Sequence, residues 1–287
     1  MSLPASVQLC EAIPGYPVFI IQHPACTARI ALNGAHVMEW IPAGQSPVLY
    51  HSPQAVLEPG KPIRGGIPVC WPWFGPHPSD ETMPMHGFAR TRPWTLMEAS
   101  ESDEGVKMSF VLCSDAATHE LWPHEFEAHL TVHLGATLDV SLMTINKSGS
   151  DMLLAEALHT YLTVGDISQV TVKGLDGSGY LDTVGERTER QQSGDITFDR
   201  EVDRQYHSSG TVTVTDPALN RTLTIEKGES GTTVVWNPWI EKSKRLADLP
   251  DEAYHHFLCI EAANAGAATV TLPSGSAHTL RTIISVQ

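Results

Sequence analysis

An antiparallel β-sandwich or barrel is the fold this sequence predicts, and three observations carry the prediction. Apolar residues recur in short runs that alternate with polar ones. Turn signals punctuate the chain roughly every ten residues. No repeated succession of strand and helical periodicity appears, which a parallel sheet would require.

Taken in order, VFIIQ, TARIAL and HVMEW between Val18 and Tyr50 read as strands, broken at His23-Pro24, Asn33-Gly34 and Pro42-Ala43-Gly44. Asn33-Gly34 between two strand-like runs is a hairpin signal, because both residues tolerate the left-handed backbone such turns need. After an irregular stretch the alternation resumes with Val106, Met108, Phe110 and Leu112, then Leu130, Val132 and Leu134, then Leu138, Val140 and Leu142. Each run has one face to bury. Ser114–Trp122 is the helix candidate before position 240, with Ser114 as N-cap. Further strands are expected at Leu153–Leu158, Val170–Lys173, Thr211–Thr215, Thr222–Ile225, Thr232–Val235, Phe257–Ala262, Ala268–Leu272 and Thr279–Val286. The polar, turn-rich segment Gly174–Asp203 reads as loops or a hairpin crossing one face. No composition break and no internal repeat divides the chain, so residues 1–287 are expected to form one domain.

Composition narrows the function classes. With 41% hydrophobic and 18% charged residues the chain is globular, and its formal charge of −15 repels phosphodiester backbones and anionic lipid. Neither nucleic acid nor a membrane is expected as a partner. The N-terminus lacks a basic region followed by a long apolar run, so a cytoplasmic location is expected. Cys10, Cys26, Cys70, Cys113 and Cys259 are odd in number and widely spaced, which argues for reduced thiols rather than a disulfide framework or zinc knuckle. The 14 histidines form no H-x-H or H-E-x-x-H pattern, and no metal is expected.

Several residues stand out chemically. Ile63–Arg90 lacks either period and sets Arg64, His86 and Arg90 on Pro- and Gly-shaped backbone, an arrangement suited to an anion. His159 ends a predicted strand amid apolar and small residues; a hydrogen-bonded core histidine and a proton-transfer group both fit it. Glu261 closes the run FLCIE, either as a solvent-facing strand end or as the partner of His159 if the fold brings the two together. Asp203 in VDRQY fits a solvated ion-pair face or a ligand contact. Trp71, Trp73 and Phe74 fit an apolar wall or plain core.

The strings RGGIPVCWPWFGP (64–76), HGFAR (86–90), ALHTYLTVGDI (157–167), VDRQY (202–206), LNRTLTI (219–225), WNPW (236–239) and CIEAAN (259–264) resemble the glucose-6-phosphate 1-epimerases of the aldose 1-epimerase, galactose mutarotase-like superfamily. The resemblance runs over nearly the whole chain in order. It implies an all-β, large antiparallel β-supersandwich with few short helices. It also implies a mutarotase that interconverts the anomers of a hexose 6-phosphate, with His159 as general acid and Glu261 as general base. By the same resemblance Arg64 and Arg90 hold the phosphate, Asp203 contacts the sugar and His86 lines the pocket. A sugar phosphate is the expected small-molecule partner, no cofactor is implied, and a monomer is expected. Met85 departs from the pattern, since relatives often carry a polar residue before HGFAR. Two alternatives stay open: an epimerase of unphosphorylated hexoses, and a non-catalytic sugar-phosphate-binding protein on the same fold.

Overall fold

The structure is a computed structural model and describes residues 2–287. Alternation translates directly into layers. In Leu138–Asn146 the odd-spaced Leu138, Val140, Leu142 and Thr144 are buried while their neighbours are half-exposed. This strand lies inside an eight-stranded sheet ordered Thr171–Lys173, Val212–Asp216, Arg221–Gly228, Ala277–Val286, Leu138–Asn146, Phe126–Gly135, Gly105–Cys113, Thr95–Ser102. A second eight-stranded sheet runs Thr188–Gln191, Gly179–Asp182, Val202–Tyr206, Thr232–Asn237, Phe257–Asn264, Glu156–Leu158, Val69–Cys70, with Tyr161–Thr163 also paired to Phe257–Asn264. The strands Val7–Ile13, Tyr16–His23, Cys26–Ala31 and His36–Pro42 form a four-stranded sheet in chain order. The ladders between these strands are antiparallel.

One core joins the layers: Leu258, Ile260 and Ala262 of the second sheet pack with Leu142, Leu280 and Ile284 of the first and with Ile21, Ile30 and Trp40 of the third. Each such side chain contributes roughly 1.5–3 kcal/mol by leaving water. The strand Phe257–Asn264 is buried on both faces, because its other face carries a smaller cluster of Phe257, Cys259, Ala263, Tyr161 and Trp236.

The all-β expectation holds, and its local errors have physical causes. Val7–Ile13 and Thr95–Ser102 are strands outside the expected set; each ends its sheet and is largely exposed, so neither carries alternation to read. Leu153–Leu158 is two strands: Met152–Leu154 pairs with Val270–Leu272 in a separate ribbon, and the Ala155 N–H turns to the Pro72 carbonyl at 3.1 Å before Glu156–Leu158 enters the large sheet. The helix is Ala116–Leu121 and its cap is Asp115, not Ser114. Asp115 accepts from the Thr118 N–H at 2.7 Å and the Thr118 hydroxyl accepts from the Asp115 N–H at 2.8 Å, whereas Ser114 is spent on Glu125 at 2.6 Å. Gly174–Asp203 does contain a hairpin, Gly179–Asp182 with Thr188–Gln191, and it extends the second sheet. The Asn33-Gly34 turn joins Cys26–Ala31 to His36–Pro42 as expected.

Candidate active site

Strand periodicity places the acid. Along Phe257–Asn264, even positions face the main core, so Glu261 faces the smaller cluster with Phe257, Cys259 and Ala263. Glu261 is 1% exposed, which rules out the solvent-facing strand end. Nor does it end its strand.

A break in the neighbouring strand places the imidazole. Glu156–Leu158 and Tyr161–Thr163 both pair with Phe257–Asn264, and between them the Thr160 carbonyl accepts the Ile260 N–H at 3.2 Å, but the His159 N–H leaves the ladder. The His159 N–H instead donates to the Pro68 carbonyl at 3.1 Å and the Thr160 N–H folds back on Leu158 at 2.9 Å. This turns the His159 ring toward Glu261: Nδ1 lies 3.4 Å from Oε1. Among the described residues neither His159 Nδ1 nor Glu261 Oε2 has a hydrogen-bond partner, although both atoms are buried. The ring, 8% exposed, stacks on Tyr161 at 4.8 Å and meets the edges of His86 at 5.9 Å and Trp236 at 5.8 Å.

Electrostatics sets the proton inventory. Burial, with Asp203 adding to it and Arg90 opposing, pushes the Glu261 carboxyl well above the usual range. Burial, then His86, Arg90 and Arg64, hold His159 well below its ordinary value. Both directions favour carboxylic acid beside neutral imidazole. That state has the same proton count as carboxylate beside imidazolium, so one proton can serve either end.

The stretch 63–90 wraps this pair. Gly65, at φ +107°, could not carry a side chain: a Cβ would sit 2.4 Å from the Tyr50 carbonyl oxygen. His36, fully buried, donates from Nε2 to the Gly65 carbonyl at 2.8 Å and fixes the loop from below. Arg64 leaves this loop to meet Asp248 at 3.1 Å through Nε and the Tyr161 hydroxyl at 2.8 Å through Nη1. At Gly87, φ +71°, a Cβ would lie 2.0 Å from the Trp71 carbonyl oxygen. His86 just before it also has positive φ, 65°. Its Nδ1 accepts the Gly75 N–H at 3.1 Å, which leaves Nε2 as the protonated nitrogen. Burial and the two arginines lower its pKa to about 3, so it stays neutral. Arg90 donates from Nη2 to the Met85 carbonyl at 2.8 Å, while its Nε is buried without a partner. The Met85 side chain itself is exposed; its backbone, not its thioether, supports the arginine.

Asp203 faces the same side, half-buried, and its Oδ2 is 3.3 Å from Lys242 Nζ. The expected residues thus converge: His86, Arg64 and Arg90 lie near His159, and Asp203 and Arg90 near Glu261, on one face of the second sheet. Trp71 and Trp73 are core, not wall; the Trp71 indole donates to Thr144 at 2.9 Å and packs against Phe88, Trp122 and Phe126. Phe74, half-buried and 5.0 Å from His86, is the member that reaches the site. Tyr161, Trp236, Lys242 and Asp248 were missed. Tyr161 could have been found two residues beyond His159, where a strand returns to the same face. Among the described residues no group of three or more His, Cys, Asp or Glu is placed to hold a metal ion.

Comparison with known proteins agrees with this architecture. The sequence family described as Aldose 1-epimerase matches residues 17–285. A relative from Escherichia coli (strain K12) named "Putative glucose-6-phosphate 1-epimerase" is 37% identical over 268 residues, covering 93% of this chain and 89% of its own. One of the same name from Cenchrus ciliaris is 36% identical over 249 residues, covering 83% and 75%. A crystal structure from Salmonella typhimurium described as a "putative mutarotase" superposes with TM-score 0.93 at 33% identity, over 99% of this chain and 95% of that one. Galactose 1-epimerase from Lactobacillus acidophilus NCFM, at 11% identity, shares the fold with TM-score 0.77 over 100% and 99% of the two chains. A matched segment that takes in nearly every strand of the sandwich, with relatives above 30% identity along most of their length, makes this chain a member of the aldose 1-epimerase family.

Proposed function

We propose that the protein is a mutarotase of hexose 6-phosphates, with glucose 6-phosphate as the reference substrate. The observation that carries this reading is the buried His159–Glu261 pair, 3.4 Å apart, with Arg64 and Arg90 both close enough to depress the imidazole. Anomer exchange needs one proton to leave the C1 hydroxyl and one to reach the ring oxygen. Glu261 as carboxylate takes the first and His159 as imidazolium supplies the second while the C1–O5 bond breaks. The aldehyde rotates about C1–C2 and closes on its other face with both transfers reversed. No net proton is consumed. A phosphate dianion held by Arg64 and Arg90 offsets the positive charge that, after burial, helps depress His159, which makes the imidazolium easier to form. Asp203 takes a sugar hydroxyl, and the neutral His86 offers Nε2–H beside it. The names of the E. coli and plant relatives support the phosphate preference. The same reading has the enzyme working as one domain and a monomer in the cytoplasm.

A second reading, an epimerase of unphosphorylated hexoses, draws on one observation: Arg64 already spends Nε on Asp248, and Arg90 spends Nη2 on Met85. Exchange NMR with Arg64→Ala and Arg90→Ala separates the two. Loss of kcat/KM of roughly tenfold or more for glucose 6-phosphate, with glucose little changed, is the expected result. Equal losses on both sugars favour the second reading.

A further inference from the structure

The short helix Trp239–Ser243 carries a cation that the proton-transfer scheme does not use. Its placement is built with care. Asn237 donates from Nδ2 to the Tyr254 and Phe257 carbonyls, each at 2.9 Å, and its Oδ1 accepts the Trp239 N–H at 2.9 Å. Trp239, at φ 55°, then turns the chain so that Lys242 leans back over the sheet. Lys242 Nζ lies 3.0 Å from Glu201 Oε1, 3.3 Å from Asp203 Oδ2 and 5.8 Å from the centre of the Trp236 ring. Trp236 is opposite Asp203 in the strand register and meets His159 edge-on at 5.8 Å.

We propose that Lys242 is a positioning residue of the active site: it holds Asp203 on the sheet face and offsets the negative charge that Asp203 presents to Glu261. Among the described residues Asp203 has no other cation within bonding distance. Without Lys242 it is free to rotate and its charge acts on Glu261 in full. The charged and titratable groups facing Glu261 are His159 from the strand break, Tyr161 from Tyr161–Thr163, Asp203 from Val202–Tyr206, Arg90 from the Ala89–Thr91 turn, Cys70 from Val69–Cys70 and Cys259 from its own strand. Arg90 is the cation among them, so Lys242 controls the one acidic neighbour that works against it. The inference rests on the mutarotase reading only for its effect on rate.

Lys242→Met keeps the apolar stem over Trp236 and removes the charge; Lys242→Arg restores a cation. In protein labelled with 13C at the Glu side-chain carboxyl, with the Glu261 resonance assigned from Glu261→Gln, the Glu261 titration should move up by roughly one pH unit in Lys242→Met and return in Lys242→Arg. The acid limb of kcat/KM against pH should move with it, giving about tenfold loss below the limb and recovery above it. A Glu261 titration unmoved by Lys242→Met, or a loss of rate equal at every pH, overturns the proposal. The titration is read without turnover, so an inactive wild type would count against the mutarotase reading alone.

Discussion

Two polar side chains, His159 and Glu261, sit where an all-β core would otherwise be apolar, and each has a buried atom without a partner. Buried polar groups that the protein itself does not satisfy cost stability, roughly 1–3 kcal/mol each, which suits groups kept for chemistry rather than for packing. Replacing Glu261 by Gln or His159 by Ala is expected to remove about 10²–10⁴-fold of the catalysed anomerisation, read by exchange NMR, while circular dichroism shows an intact fold. The stability sign follows from the carboxyl. Its folded-state pKa is raised, so the native state holds a proton that the unfolded chain releases above about pH 4.5. Stability from this group is present at low pH and falls as pH rises toward the folded pKa. Glu261→Gln should therefore melt higher than wild type at pH 8, and the gap should narrow near pH 4.5; a wild type more stable than the variant at pH 8 contradicts the buried, protonated carboxyl. At this scale the sequence was informative only where chemistry broke a pattern. His159 and Glu261 interrupt apolar runs and are visible for that reason. Trp236, Lys242 and Asp248 come into range through a register and a short helix, and their local sequence has no such contrast.

Elements with two unlike faces were legible, and elements without them were not. Leu138–Asn146 alternates strictly in burial and Phe126–Gly135 does so up to Leu134, whereas Thr95–Ser102, exposed along most of its length, offered no period. The break at His159 could not be read either, since Thr160 and Tyr161 continue a strand-like run; it is made by backbone contacts to Pro68 and Gly66 far earlier in the chain. Irregular backbone in the stretch 63–90 was legible as composition but not as shape. Its shape depends on close approach: the Phe88 and Ala89 N–H groups both reach the Trp71 carbonyl, at 3.0 and 3.2 Å, across Gly87. Gly87→Ala must move that contact and occupy a positive φ, so a loss of about 2–4 kcal/mol is expected in urea unfolding. A loss below about 0.5 kcal/mol would mean the turn adapts freely.

Across the whole molecule, the two large sheets are tied by a buried polar contact as well as by their apolar core. Glu156, fully buried on the strand leading to His159, meets His278 of the other sheet at 3.0 Å. Asn264, on the strand of Glu261, bridges them, with Nδ2 at 3.2 Å from Glu156 Oε1 and 3.1 Å from His278 Nε2. Hydrogen bonding to Glu156 raises the His278 pKa, so the contribution of His278 is full below about pH 6.5 and declines as pH rises through its folded value. His278→Ala leaves a buried carboxyl with fewer partners, and a loss of about 2–4 kcal/mol at pH 6 is expected by denaturant titration. The sandwich was foreseeable from alternation summed over the chain, while this tie was not, because Glu156 and His278 are paired by sheet packing alone. The central claim concerns what the assembled sheets do, and α/β exchange NMR of glucose 6-phosphate tests it most directly. The account predicts that wild-type protein speeds exchange well above the buffer rate and that Glu261→Gln returns it to near that rate; exchange unaffected by the protein, or equally fast with the variant, contradicts it.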